Sequence, residues 1–405
     1  MLAAGRAAEL GAKVALLEKN DSLGRKLLIT GKGRSNITKA EFNSRELVKK
    51  YDREGDFLLH AMSVFGPKET VDFFEKRGLK MKVERGKRIF PETDSAKDVL
   101  NVLVGYLKKG RVEIMANSEV GEVVNDGNRI YRIILKNPRT SGLRQLLAKN
   151  YIICTGGKAF PGTGSTGEGY RWAEKLGHKI IKLRPALVPV KIKDAWLQKL
   201  QGLSLKNIGL NVLQNGKKKD GRLGELLFTH FGLSGPIILD LSGHIGELLE
   251  KGDVQLNLDL KPALTQEQLD KRIQSGFVKY ANKFFKNSLD DLLPQKLIPV
   301  IIEFSRIAPL KKVNLITKEE RRRLAALLKG LEMTVSSLLG FEHAIVTSGG
   351  VSLREIDSKT MKSKLIDNLF FAGEIINLQG PTGGYNLQIC WSTGYLAGQS
   401  AALLN

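Results

Sequence analysis

Cysteine is nearly absent from this sequence: among 405 residues only Cys154 and Cys390 occur, far apart and each set in an apolar stretch. A disulfide framework is therefore not expected, and a reducing cytoplasm is the expected compartment. Histidine is scarce too, with five residues at no close ligand spacing and no C-x-x-C, so the pattern gives a metal site no support. No apolar run reaches the roughly eighteen residues of a membrane span. The start, MLAAGRAAELGAKVALLEKN, places Arg6, Glu9 and Lys13 where a signal peptide would be apolar. Neither membrane insertion nor a secretory signal is expected.

What is abundant is glycine and positive charge. The length is about twice that of a usual domain, so two or three packed units are expected. The 42 glycines suit an enzyme rich in tight turns. The net charge of +22 creates a field that attracts nucleic acid, anionic membranes and phosphorylated ligands without specifying any of them. Lysines are spread along the chain, with short clusters at Lys217 to Lys219 and Arg321 to Arg323, which reads as a solvated surface. A nucleic-acid partner is therefore admitted but not called for, and nothing sets the oligomeric state.

Along the chain, an Ala-rich helix from Leu2 to Leu10 stops at Gly11, and Lys13 to Leu17 is a short apolar strand closed by Glu18: the second half of a βαβ unit. Gly24 to Asn36 follows as a glycine-punctuated loop, then helical patterns at Arg45 to Met62 and Lys68 to Arg77. Val112 to Met115, Glu119 to Val124 and Ile130 to Leu135 read as a strand and a meander turning at Asp126-Gly127. The apolar strand Tyr151 to Cys154 runs into Thr155-Gly156-Gly157. From about Pro185, Leu187 to Ile192, Ser204 to Leu213, Glu225 to Thr229 and Gln255 to Leu258 read as a separate antiparallel unit. The pattern turns helical between Thr265 and Leu339, and Rossmann-like language returns from Ala344 to a last helix near Asn386.

In a dinucleotide-binding βαβ unit a glycine loop brings a pyrophosphate to a helix N-terminus, and an acid about 20 residues later binds the adenosine ribose. Glu18 sits where that acid belongs, although an acid also simply ends many strands. Counting back places the G-x-G-x-x-G before Met1, so the sequence as it stands is expected to lack the first strand and its glycine loop. The stretch from Leu23 to Asn36 gathers cations, glycines and short polar side chains, a cradle suited to a diphosphate or a flavin edge. Thr155-Gly156-Gly157 reads either as the chain crossing under a cofactor or as a plain strand-to-loop turn. The strand ending in Gly373-Glu374, with Gly380 to Asn386 leading into a helix, presents backbone N–H groups to the pyrimidine edge of a flavin.

These motifs resemble the HI0933-like, or BaiN-type, flavoprotein family: LLEKN (Leu16 to Asn20), GRKLLITGKGRSN (Gly24 to Asn36), FTHFGLSGP (Phe228 to Pro236), TSGGV (Thr347 to Val351) and FAGEIINLQGPTGGYNLQ (Phe371 to Gln388) occur in the family's order over nearly the whole chain. The resemblance implies an α/β fold, a split Rossmann-type FAD-binding domain with an inserted antiparallel, barrel-like β domain and a helical subdomain. The expected boundaries are 1–185 and 341–405 for the two FAD-binding parts, 186–264 for the β domain and 265–340 for the helical subdomain. It also implies NAD(P)H as reductant. Position by position, Glu18 matches the ribose acid, and Lys19, Arg25 and Lys26 the segment around the ADP moiety. Thr30, Gly31, Gly33, Arg34, Ser35 and Asn36 match the loop near the flavin and diphosphate, and Val120 a backbone contact to adenine. Gly373, Glu374, Gly383, Gly384, Tyr385, Asn386, Leu387 and Gln388 match the ribityl and ring contacts, and Thr155, Gly156 and Gly157 join the expected cofactor-binding residues on the first of their two readings. Many relatives carry Cys where Ser35 stands, so no thiol chemistry is transferred.

The expectation is thus an FAD-dependent oxidoreductase acting on a small organic acceptor, with a conjugated C=C compound in view. Its rivals are a flavoprotein acting on RNA through its basic surface and a cofactor-poor, non-catalytic binding protein. No catalytic residue is assigned. His230 lacks an evident acid or nucleophile partner in the sequence and is expected to be structural, and Trp391 and Tyr395, one turn apart, are expected in the core.

Overall fold

The computed structural model describes residues 1–136 and 144–404, which divide into two compact units, Met1–Pro185 with Phe341–Asn405, and Ala186–Gly340. In the first unit, short parallel pairs join strands distant in sequence. Ala15–Leu17 pairs with Glu113–Met115, and Tyr151–Ile153 with Leu369–Phe371. These strands are only three residues long, and Leu369, Phe370 and Phe371 are all buried, as strands covered on both faces require. The last helix, Tyr385–Leu403, is buried along most of its length and packs on the opening helix Leu2–Glu9. Trp391 is core, its indole N–H donating to the Ile37 carbonyl at 3.0 Å, and Tyr395 stacks on Phe65 at 4.4 Å.

Two further sheets flank this body. Thr38–Lys39, Arg88–Pro91 and Met81–Glu84 form a small antiparallel sheet. Val120–Asp126, Arg129–Leu135 and Arg144–Leu146 form a meander whose tight turn falls at Gly127, at φ 56°. The stretch 24–36, expected as a loop, is instead the short helix Arg25–Ile29 followed by a 3-10 turn at Thr30–Gly33. Leu27, buried in the apolar cluster with Phe74 and Trp391, supplies the tertiary contact that fixes that helix.

The second unit is a closed six-stranded antiparallel barrel in the order Val190–Ile192, Gly232–Ser234, Lys217–Phe228, Ser204–Gln214, Gln255–Asp259, Leu331–Leu338. Alternation builds its core: Leu256 and Leu258 on one strand and Leu331, Met333 and Val335 on the next point inward, with polar residues between them. Each such side chain contributes roughly 1.5–3 kcal/mol on burial. The helix Pro236–Leu249 adds Ile237, Ile238, Leu241 and Ile245 to this cluster. The expected helical stretch 265–340 holds helices Gln266–Lys279, Ile298–Ser305 and Lys318–Lys329, but its last part, Leu331–Leu338, is a barrel strand. Among the described residues no helix is long and apolar enough to cross a membrane.

Candidate functional site

The site is built in the first unit, where the carboxyl ends of the short parallel strands release their chains. Ala15–Leu17 delivers Glu18, whose backbone N–H donates to the Met115 carbonyl at 2.9 Å and continues the parallel pairing. The Glu18 carboxylate accepts from the Asn20 backbone N–H at 2.9 Å and from the Asn20 amide at 2.8 Å. The same amide donates to the Thr163 carbonyl at 3.1 Å, so Asn20 ties the strand end to the loop after Tyr151–Ile153. Lys19 makes a second tie, reaching Thr166 and Glu168, each at 2.5 Å. Burial works to raise the pKa of Glu168, but the bonds from Lys19 and Thr166 outweigh it and hold it below the ordinary value. Val120 begins its strand two residues after Ser118, whose N–H donates to the Glu18 carbonyl at 2.8 Å. Arg25 makes an exposed pair with Asp21 at 2.8 Å.

A second cluster gathers four distant segments. Lys26 donates to the Glu374 carboxylate at 2.9 Å and to the Ala159 carbonyl at 3.1 Å. The other Glu374 oxygen accepts from the Thr347 N–H at 2.9 Å. The Thr347 hydroxyl in turn accepts from the N–H groups of Lys158 and Ala159 at 2.7 and 3.0 Å. Gly157 passes so close that a Cβ there would lie 2.3 Å from Thr347 Oγ1 and 2.6 Å from Glu374 Oε1. The Thr155-Gly156-Gly157 turn therefore requires glycine to bring this chain against the carboxylate. Gly373, at φ 79°, turns the strand Leu369–Phe371 toward Glu374, and its N–H is held by Thr393 at 3.0 Å.

The third cluster joins the 30–38 segment to the start of the last helix. Gly31, Gly33 and the non-glycine Lys32 and Ser35 all adopt left-handed φ, so the chain coils tightly between Thr30 and Asn36. Ser35 donates its backbone N–H to the Thr30 carbonyl at 3.0 Å. Gly384 caps the last helix at φ 102°, where a Cβ would stand 2.5 Å from the Thr38 carbonyl. Asn386 folds the preceding loop back on itself, accepting from Gly380 N–H at 2.9 Å and donating to the Gly380 and Pro381 carbonyls. Gly383 and Tyr385 lie in the same turn, and Tyr51 donates its hydroxyl to the Tyr385 carbonyl at 3.0 Å.

Not every residue singled out in the sequence lines these clusters. Arg34 turns to Glu84 and Asp94 and stacks over Phe90 at 4.2 Å; the bonds from those two carboxylates raise its pKa further. Gln388 is fully buried and spent on Thr38, Thr70, Phe65 and Ser392. Leu387 packs with the apolar cluster containing Phe74 and Trp391. Conversely, Asn20 and Thr347 hold the strand ends together, and both already stood inside the motifs LLEKN and TSGGV. His230, expected to be structural, is the exposed residue of the turn Thr229–Gly232 in the second unit, edge-on to Phe231 at 4.8 Å.

Among the described residues, buried side-chain atoms without a hydrogen-bond partner include Ser35 Oγ, Asn36 Oδ1, Thr155 Oγ1 and Gln379 Oε1. Arg6 Nε in the opening helix and Arg132 Nε in the meander are also without a partner, but the first four lie on loops of the first unit. Buried polar atoms are nearly always bonded, and the loop atoms fit a polar ligand that supplies the missing partners. The same unit holds two further features that FAD binding uses: an acid at the end of the strand Ala15–Leu17 and a glycine-capped helix start at Gly384.

A mixed α/β body with parallel strands, such loops at their carboxyl ends and a closed barrel defines the class of Rossmann-type flavoproteins. A model of the HI0933-like protein Rossmann domain matches residues 1–400, and the chain belongs to that family. It is a flavin-dependent oxidoreductase, with FAD as its cofactor. The 3-dehydro-bile acid delta(4,6)-reductase of Clostridium scindens is 31% identical over 392 residues, 96% of this chain and 93% of that protein. The ribosomal RNA dihydrouridine synthase of Escherichia coli is 29% identical over 404 residues, 98% of this chain and 94% of that one. Among solved structures, 3-ketosteroid delta1-dehydrogenase from Sterolibacterium denitrificans superposes with a TM-score of 0.53 at 12% identity, over 100% of this chain and 97% of that one, a likeness of fold.

Proposed function

We propose that this protein reduces a carbon–carbon double bond conjugated with a carbonyl, using NAD(P)H as reductant and FAD held by the unit of Met1–Pro185 and Phe341–Asn405. The observation that carries the cofactor half is the set of unpartnered atoms at Ser35, Asn36 and Thr155. Glu18 takes the ribose hydroxyls of the adenosine half, and Lys19 and Lys26, paired with Glu168 and Glu374, serve the diphosphate by exchanging those partners for it. The N–H groups at Gly383, Gly384 and Tyr385 supply the positive helix end for the pyrimidine edge of the ring. When bound, FAD supplies the electron-pair transfer between a nicotinamide and an organic acceptor. The acceptor half rests on chemistry shared by the two relatives: a delta(4,6)-reductase and a dihydrouridine synthase each name the addition of two hydrogens across an unsaturated bond near a carbonyl. The leading acceptor is a small hydrophobic enone, in a reducing cytoplasm that suits two free cysteines.

A second reading, uracil in RNA as the acceptor, is favoured by the net charge of +22, with a cationic excess in both units. One experiment tests both. The FAD-loaded protein is incubated anaerobically with NADH or NADPH and either a steroid dienone or unmodified ribosomal RNA, and the product is weighed by mass spectrometry. A gain of two hydrogens in the dienone supports the first reading, and the same gain in uridine supports the second. Nucleotide oxidation with neither product formed rejects both.

A further inference from the structure

We propose that the second unit carries an RNA-binding surface on the paired segments 281–286 and 309–314. Phe284 and Lys312 are bridged as antiparallel partners, with Phe285 N–H donating to the Lys311 carbonyl at 2.9 Å and Val313 N–H to the Lys283 carbonyl at 3.0 Å. The pairing is a single bridge, with 3-10 turns following at Phe285–Asn287 and Val313–Leu315. Phe285 and Val313 are buried, while Phe284, Lys286, Leu310 and Lys312 around the bridge are exposed. Beside them the Lys283 ammonium lies 4.3 Å from the centre of the Tyr280 ring, and Lys279 covers the same ring at 4.8 Å. Lys279 is also paired with the Asp291 carboxylate at 2.8 Å, and Lys283, Lys286 and Lys312 are exposed beside it.

Interleaved aromatic and ammonium groups are what single-stranded nucleic acid asks of a surface: bases stack on ring faces while the backbone phosphates meet the cations. Phe284 is 42% exposed and Leu310 63% exposed among these lysines. The net charge of +22 supplies complementarity to a polyanion. The inference rests on the RNA reading of the acceptor, but binding is read without turnover.

The test uses the full chain and a fluorescent single-stranded uridine-rich oligonucleotide, with anisotropy followed across a salt series. Replacing Lys283→Ala, Lys286→Ala and Lys312→Ala together should weaken binding about tenfold or more and flatten the salt dependence by about two in slope. Phe284→Ala alone should weaken it about tenfold through lost stacking. The control, Lys217→Ala with Lys218→Ala and Lys219→Ala, removes the same charge elsewhere on the unit and should cost less. Equal losses in the two triple variants would overturn the surface while leaving the RNA reading intact. No RNA binding by the unaltered chain overturns both. Retention of RNA by the patch variant alongside lost binding to anionic phospholipid vesicles would reassign the patch to a membrane surface and overturn the proposal.

Discussion

The Lys26 ammonium and the Glu374 carboxylate, 348 positions apart in the chain, meet at 2.9 Å. Because Glu374 also takes the Thr347 N–H, one carboxylate fastens the helix Arg25–Ile29, the strand Val346–Val351 and the turn after Leu369–Phe371. Both side chains are largely shielded, so removing one leaves the other desolvated and unpaired. Lys26→Ala and Glu374→Gln should each destabilise by about 1–2 kcal/mol. The double variant should cost less than their sum, and a double-mutant cycle of thermal melts reads the coupling. Strict additivity would show that the pair is not what holds these segments.

Gly157→Ala should be costly, since its Cβ would overlap Thr347 Oγ1 and Glu374 Oε1. Overpacking of this kind costs about 1–3 kcal/mol, and the displaced carboxylate should lower FAD retention in the same variant. Flavin content per chain after desalting checks the second effect, and full retention would mean that this turn does not shape the cofactor site.

Ser35→Ala separates a cofactor contact from a structural one. The Ser35 hydroxyl is fully buried and unpartnered. Removing it from the FAD-free protein should leave the melting temperature unchanged or slightly higher, because a buried unsatisfied group is a cost. FAD affinity should fall about fivefold to tenfold, the worth of one hydrogen bond. A lower melting temperature with unchanged FAD affinity would assign the hydroxyl to the protein's own packing.

Acid should loosen the first unit through His178. Its Nε2 faces the Ser363 hydroxyl at 2.9 Å, and that oxygen accepts from the N–H groups of Leu365 and Ile366, so it is left to donate to the ring. Nδ1 lies 3.3 Å from Glu355, which also takes the Lys179 N–H, and the ring meets Phe371 edge-on. Burial lowers the imidazole pKa from 6.5, with Glu355 opposing. A base with a lowered folded pKa binds more protons when unfolded. Its stability contribution is thus complete above pH 6.5 and lost as the pH falls through the folded value. Melts of the parent and His178→Gln between pH 7.5 and 5 should converge toward acid. Parallel curves would contradict this.

Much of the barrel was legible in the sequence because inside–outside alternation writes itself into strands such as Ser204–Gln214 and Gln255–Asp259. Leu331–Leu338 alternates as well, but only Gly330 separates it from the charged helix Lys318–Lys329, so the local pattern sets no clear boundary there. The helix Pro236–Leu249 is masked in the sequence by Gly235-Pro236, which reads as a turn, and by Gly243 and Gly246 inside it. The helix Arg25–Ile29 was hidden by flanking glycines, its stability coming from the burial of Leu27 rather than from local propensity. At the site, Glu18, Lys26 and Glu374 could be named from motif and charge. That Arg34 is taken by Glu84 and Asp94, and Gln388 by Thr38 and Thr70, depends on partners remote in sequence that no local pattern encodes.

The most direct test of the central claim is the visible absorbance spectrum of the purified protein titrated with FAD, then recorded anaerobically with NADH and with NADPH. The account requires saturable uptake of FAD, with perturbed flavin bands, and their bleaching by one of the two nucleotides. A folded protein that takes up no FAD, or one whose bound flavin neither nucleotide bleaches, would contradict it.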